Sequence, residues 1–160
     1  MSKQDLNIAL LQSDISWEDA AKNLEHFSGM ILDILDQVDL IVLPEMFSTG
    51  FTMNTESCAE TMKGPAIKFM KEIAGKKDCV VIGSIMIKES MGFYNRLVAM
   101  FPDNTFETYD KRHLFRLSQE YKLMRPGDQK KIITYKGWKI LPLIASQRPK
   151  RGREEGNRRQ

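Results

Sequence analysis

The stretch Asp39-Leu40-Ile41-Val42-Leu43-Pro44-Glu45 decides how the chain is read. A continuous apolar run of strand length, stopped by proline, fits a strand buried on both faces better than a half-exposed one. Upstream, Leu6–Gln12 (LNIALLQ) is a second short apolar run and reads as another buried strand. Between them, Ala20, Leu24, Phe27, Ile31, Ile34 and Leu35 recur at helical spacing, with Lys22, Asn23 and Glu25 on the other face. Ser16-Trp17-Glu18-Asp19 supplies a start resembling a capping box, so a helix of about 19 residues is expected. Strand, helix, strand in this order predicts a parallel crossover. The carboxyl end of the second strand then delivers Glu45 to the edge of the sheet, where open α/β sheets place their sites.

Downstream, Glu45–Lys63 has little periodicity and reads as loop with short turns. Gly64-Pro65 opens a helix with proline at its first position, and Gly75 is expected to end it. Cys79–Ile87 reads as a buried strand, Lys88–Gly92 as a turn, and Tyr94–Phe101 as the hairpin partner. Pro102-Asp103-Asn104 turns the chain into Thr105–Tyr109, and Ile132–Tyr135 and Trp138–Ile144 form a last pair around Lys136-Gly137. The fold class predicted is α/β.

Composition narrows the function classes. Of 160 residues, 42% are hydrophobic and 28% charged, too apolar for a disordered polyelectrolyte and of a size for one domain. The longest apolar runs, such as Val80–Ile87, are far shorter than the roughly 20 residues a membrane helix needs. No secretory signal is legible, and a cytoplasmic location is expected. The net charge of +3 is uneven: residues 146–160 hold six basic and two acidic side chains, leaving 18 basic and 19 acidic in residues 1–145. That end contains no Val, Ile, Leu, Met or aromatic residue and is expected to be a disordered basic tail. Arginines can meet phosphates, but no aromatic interleaving or binding motif supports nucleic acid as a partner.

The residues that could carry chemistry are few. Glu45 at a strand end suits general-base work, since partial burial disfavours the charged form of a carboxylate; taken alone it reads sooner as a solvated loop residue. Lys111, in Tyr109-Asp110-Lys111-Arg112-His113-Leu114-Phe115, can serve as a fixed charge for an oxyanion, although a bare basic cluster is usually a solvated face. Glu120 is uninformative by itself. His26 reads as a packed or surface residue, and His113 could orient its loop by hydrogen bonding. Neither has metal-ligand company, and Cys58 and Cys79 read as inert thiols. No metal and no organic cofactor is expected.

Taken together, Leu43-Pro44-Glu45-Met46-Phe47-Ser48-Thr49-Gly50-Phe51, the Asp110–Phe115 segment, Glu120, Pro126-Gly127 and Gly137-Trp138-Lys139-Ile140-Leu141-Pro142-Leu143 resemble the carbon–nitrogen hydrolase (nitrilase) superfamily. The resemblance runs in order from Leu6 to Ile144. Asp110–Phe115 and Lys136–Ile140 look most like its omega-amidase branch, which cleaves monoamides of dicarboxylic acids such as 2-oxoglutaramate. The resemblance implies the N-terminal part of a four-layer α-β-β-α sandwich over residues 1–145. It also implies a cysteine, glutamate and lysine triad with a supporting glutamate. Matched by motif, Glu45 is the general base, Lys111 the oxyanion-stabilising lysine and Glu120 the second glutamate. Its substrate would be a small-molecule amide, and intact members form homo-oligomers.

The nucleophile is the point of departure. The family's last strand runs into a cysteine, and here Ile140-Leu141-Pro142-Leu143-Ile144 runs into Ala145. A methyl group cannot form a thioester. Ser146, one residue along, points to the other side of an extended strand. From Ser146 on, every position departs from the family pattern at once, as a frameshift, a misread exon boundary or a fusion junction would cause. The chain is therefore expected to be truncated before its nucleophile and inactive as it stands, with sheet faces left uncovered. Two other readings are an interaction protein using the half-fold and basic end, and another amide-cleaving branch such as a nitrilase or carbamoylase.

Overall fold

The computed structural model describes residues 5–35 and 37–145. The basic segment 146–160, with the expectations attached to it and to Ser146, lies outside the described residues. In chain order the elements are β1 (Ile8–Leu10), α1 (Ala20–Leu32), β2 (Leu40–Val42), α2 (Thr55–Cys58), α3 (Pro65–Lys77), β3 (Val80–Glu89), β4 (Gly92–Met100), β5 (Phe106–Asp110), α4 (Glu120–Leu123), β6 (Ile133–Tyr135) and β7 (Trp138–Ile140).

Five strands form one mixed sheet in the order β1-β2-β3-β4-β5, and β6 and β7 form a separate hairpin. β1, β2 and β3 run parallel, so α1 and α3 lie on the crossovers that the strand–helix–strand pattern predicts. β3, β4 and β5 are antiparallel neighbours. Alternation along the strands sorts side chains onto two faces. Ile41, Val81, Ile85, Val98 and Met100 pack with Phe27 and Ile31 of α1 and Ile67, Met70 and Ile73 of α3. On the opposite face Leu40, Val80, Ile82, Leu97 and Ala99 pack with Tyr109, Ile133 and Ile144. The α/β class is as the sequence predicts: helices cover one face, and the hairpin with the segment after it lies against the other.

Several boundaries differ from the sequence reading, each for a local reason. α1 is 13 residues long and begins at Ala20, because Glu18 sits in the left-handed region (φ 56°) and breaks the turn after Ser16. Asp19 is the cap, its Oδ1 accepting from the backbone N–H of Lys22 at 3.1 Å. Asn23 is buried rather than solvent-facing. Its Nδ2 donates to the carbonyls of Ser16 and Ser48, both at 2.8 Å, and its Oδ1 accepts from Ser16 N. α3 runs through Gly75 to Lys77 and stops at Asp78, which takes the left-handed C-terminal position (φ 49°). β1 is a sheet edge pairing only with β2, which leaves Ile8 and Leu10 exposed where a buried strand is expected. β7 ends at Ile140, yet alternation persists beyond it, with Leu141 and Leu143 exposed and Ile144 buried.

The turn joining β6 and β7 places both central residues, Lys136 (φ 45°) and Gly137 (φ 78°), in the left-handed region, as a two-residue hairpin of the primed type requires. It also brings the Lys136 ammonium onto Asp39 Oδ1, while Asp39 Oδ2 accepts from the backbone N–H of Asn7 at 2.8 Å. The Lys136 hydrogen bond, followed by that from Asn7, holds the Asp39 carboxyl below its usual range. A depressed carboxyl pKa stabilises the fold above the unfolded value, about 3.9, and the contribution disappears as pH falls through the folded value. The Asp39→Asn variant is therefore expected to show a lower urea midpoint than the parent at pH 7. Its midpoint should fall less steeply below about pH 4, where the parent loses the same contribution.

Candidate active site

The site gathers where β2 ends, on the sheet face opposite the helices. Pro44 stops β2, and the loop that follows is fastened beneath by β3. Leu43 N donates to Ile82 O at 2.7 Å, Met46 N to Ser84 Oγ at 2.9 Å and Phe47 N to Ser84 O at 3.2 Å. Gly83 lets the loop come this close, since a Cβ there would sit 2.9 Å from the Phe47 ring and 3.0 Å from Leu43 Cβ. Met46 is held in the left-handed region (φ 48°) directly after Glu45. Asn23 of α1, bonded to the Ser48 carbonyl, ties the far side of the same loop.

Lys111 is the first residue after β5. Its N–H donates to Asn95 O at 2.9 Å, and its carbonyl accepts from Gly127 N at 3.0 Å. No side chain fits at position 127: a Cβ would lie 2.3 Å from the carbonyl oxygen of Asp110. The Gly127→Ala variant is thus expected to lose about 1–3 kcal/mol of stability, as over-packed substitutions do, and a denaturant melt would measure it. Glu120 opens α4, following Gln119 in the left-handed region (φ 66°).

Glu45, Lys111 and Glu120 meet at one ammonium group, although Glu45 and Lys111 are 66 positions apart in the chain. Lys111 Nζ lies 2.8 Å from Glu45 Oε1 and 3.0 Å from Glu120 Oε2. The Lys111 and Glu120 side chains are 1% and 0% exposed, whereas Glu45 keeps 28% of its side chain accessible. Lys111 is therefore not part of a solvated basic face, and Glu120, uninformative in sequence, is the most enclosed charged group of the site. Each glutamate is held differently. Glu120 has both oxygens engaged: Oε1 accepts from Asn95 Nδ2 at 3.1 Å, and Oε2 accepts from Phe115 N at 2.6 Å as well as from Lys111. Glu45 takes both its bonds, from Lys111 and from Asn95 Nδ2 at 2.8 Å, on Oε1. Among the described residues none donates to Oε2.

The Phe51 ring lies over the Lys111 ammonium, 5.1 Å from centroid to Nζ, and its centroid is 6.2 Å from that of Phe115. With Glu45, Lys111 and Ala145 these rings line an open cavity of about 200 Å³. Position 145 thus faces the same space as the base and lysine candidates. Ala145 also borders a second cavity of about 210 Å³, with Glu45, Ser84, Leu97 and Leu143 in its walls.

Other residues considered in the sequence lie elsewhere. His113 is exposed and enters no hydrogen bond among the described residues, so it does not orient its loop. His26 is on the surface, its Nε2 2.5 Å from Ser13 Oγ. Burial pushes the Cys79 thiol up to about 11, and burial, with the Glu18 charge, raises that of Cys58. No group of three or more His, Cys, Asp or Glu side chains among the described residues could hold a metal, and no described helix is long and apolar enough to cross a membrane. The sequence reading missed Asn95. The one available signal was a polar residue in the middle of the strand Phe93-Tyr94-Asn95-Arg96-Leu97-Val98, at a position that alternation puts on the buried side with Leu97.

The family model of the carbon-nitrogen hydrolases matches residues 7–146. The chain belongs to the carbon–nitrogen hydrolase family. Omega-amidase YafV of Yersinia enterocolitica is 39% identical over 139 residues, which are 87% of this chain and 54% of that protein. 2-Oxoglutaramate amidase of Bacillus subtilis is 28% identical over 140 residues, 86% of this chain and 54% of the relative. Among solved structures, a CN-hydrolase superfamily protein of Xanthomonas campestris, carrying an arsenic adduct in its active site, superposes with a TM-score of 0.83 at 34% identity. The match covers 88% of this chain and 53% of that one. Nit3 of Saccharomyces cerevisiae, a member of branch 10 of the nitrilase superfamily, shares the fold at a TM-score of 0.70 and 23% identity, over 80% of this chain and 51% of its own. The chain spans about half the length of the curated relatives it matches.

Proposed function

We propose that this carbon–nitrogen hydrolase chain carries the base, lysine and supporting glutamate of an omega-amidase that cleaves the terminal amide of a dicarboxylic acid monoamide. As it stands, with alanine at position 145, the chain turns over no amide. The observation that carries the reading is the division of labour around Lys111. Glu120 is enclosed with both oxygens bonded, so it can hold the ammonium but has no oxygen open to a reacting proton. Glu45 is held on one oxygen only, beside the cavity that position 145 lines.

With a cysteine at 145, the chemistry would run as follows. Glu45 takes the thiol proton, and the sulfur attacks the amide carbonyl to form a tetrahedral intermediate. Lys111 faces the negative oxygen, and Glu45 returns the proton to nitrogen as the C–N bond breaks and ammonia leaves. Glu45 then takes a proton from water, whose oxygen attacks the thioester carbonyl. The C–S bond breaks, the acid is released and the proton goes back to sulfur. The steps need only side chains and water. The omega-amide preference is supported by the names of the relatives at 28–39% identity, a nitrilase or carbamoylase preference being the alternative.

The test compares the chain with its Ala145→Cys variant on 2-oxoglutaramate, a nitrile and a carbamoyl amine, following ammonia release and intact mass. The parent should release no ammonia, and the variant should form a thioester with the omega-amide. Ammonia from the parent, or a preference of the variant for the nitrile or carbamoyl amine, would contradict the proposal.

A further inference from the structure

Asn95 is 1% exposed and sits inside β4, where burying an amide costs free energy for every hydrogen bond left unmade. It touches all three members of the proposed site. Its carbonyl accepts from Lys111 N at 2.9 Å, and its Nδ2 donates to Glu45 Oε1 at 2.8 Å and to Glu120 Oε1 at 3.1 Å. Its own Oδ1 is buried without a partner among the described residues, so the side chain is oriented by what its nitrogen does. We infer that Asn95 is a positioning residue: one amide nitrogen bridges two carboxylates that would otherwise repel each other, and turns the unbonded oxygen of Glu45 outward as the proton acceptor.

Lys111 alone does not fix Glu45. One ammonium contact on Oε1 leaves the carboxylate free to rotate and present either oxygen to the ammonium. A second donor on the same oxygen removes that freedom. Because the same nitrogen also holds Glu120, whose other oxygen is bound by Lys111 and Phe115 N, the four groups form a closed ring of hydrogen bonds. Such a ring keeps its geometry only while every member is present. Leucine at position 95 keeps the number and branching of side-chain heavy atoms while removing the donor, although its methyl groups are bulkier than the planar amide.

The inference rests on the reading of Glu45 as base, and the experiment separates the two. In the full chain carrying Ala145→Cys, capture of the introduced thiol by iodoacetamide would be timed at pH 7, alone and with Asn95→Leu, Glu45→Gln or both. Asn95→Leu should slow capture at least tenfold, and should add nothing once Glu45 is glutamine, because it acts through Glu45. If Glu45→Gln slows capture and Asn95→Leu does not, or if the two effects multiply, the positioning role is overturned and the base reading stands. If Glu45→Gln has no effect, both fail. Should Asn95→Leu not fold, the unmutated chain still decides. The Asn95 side-chain amide protons, followed by ¹⁵N-resolved hydrogen exchange, should be strongly protected and should change shift on Glu45→Gln. Exchange at the rate of a solvent-exposed amide would overturn the role.

Discussion

Replacing Lys111 with methionine is expected to remove about 3–5 kcal/mol of folding stability, the loss typical of breaking a buried ion pair from one side. The side chain is 1% exposed, and among the described residues its ammonium is the only cation bonded to the fully buried Glu120. Methionine fills most of the volume but leaves a carboxylate whose remaining donors are the neutral N–H groups of Asn95 and Phe115. The burial of that charge, rather than any lost apolar contact, makes the effect large. It follows that the Lys111→Met/Glu120→Gln double variant should be more stable than the sum of the single effects predicts, since the uncompensated charge is gone. Urea unfolding of the parent, the two single variants and the double variant gives the coupling. Additive losses would mean that Lys111 and Glu120 are neighbours without interacting.

The second large effect concerns Glu45. In the Ala145→Cys background, Glu45→Gln is expected to lower the rate of thioester formation with 2-oxoglutaramate by about 10²–10⁴-fold, the range of a positioned general base. Glutamine is isosteric and can still accept from Lys111, so the packing of the loop after β2 should survive. What it lacks is an oxygen able to take a proton. Glu45 is 28% exposed on a loop held by Ser84 and Asn23, so the same substitution should change the urea midpoint little. A rate loss with stability retained marks Glu45 as acting on the reacting atoms, in contrast with Lys111, where both fall together. A fall in stability as large as that of Lys111→Met would assign Glu45 to the scaffold instead.

What the sequence made legible follows from how local the cause is. Pro44 stopping an apolar run put Glu45 at the carboxyl end of β2, and Pro65 marked the first residue of α3, because both rest on the backbone limits of proline. The parallel crossover was legible from the order of periodic segments. The limits of that logic appear in β1. The run LNIALLQ has the apolar content of a buried strand, but its place at the edge of the sheet is set by which strand pairs with which. Asn23 was assigned to the solvent face by helical spacing, whereas three hydrogen bonds to Ser16 and Ser48 pull it inside. Lys111 and Glu120 meet through a turn whose geometry depends on Gly127 and on Phe115 N, and Asn95 reaches Glu45 across 50 positions. Resemblance to a family supplied Glu120 where the residues alone did not, and Asn95 was marked only by a polar side chain on the buried side of its strand.

The Lys111 ammonium and the Glu45 carboxylate share a cavity with position 145, and on the proposed reading they activate a thiol placed there. Site-resolved labelling of the Ala145→Cys chain with iodoacetamide at neutral pH, read by peptide mass spectrometry, tests this directly, because Cys58 and Cys79 serve as internal references whose thiols are both pushed up by burial. The thiol introduced at position 145 should be labelled well ahead of both. Labelling there no faster than at Cys58 would contradict the proposed site.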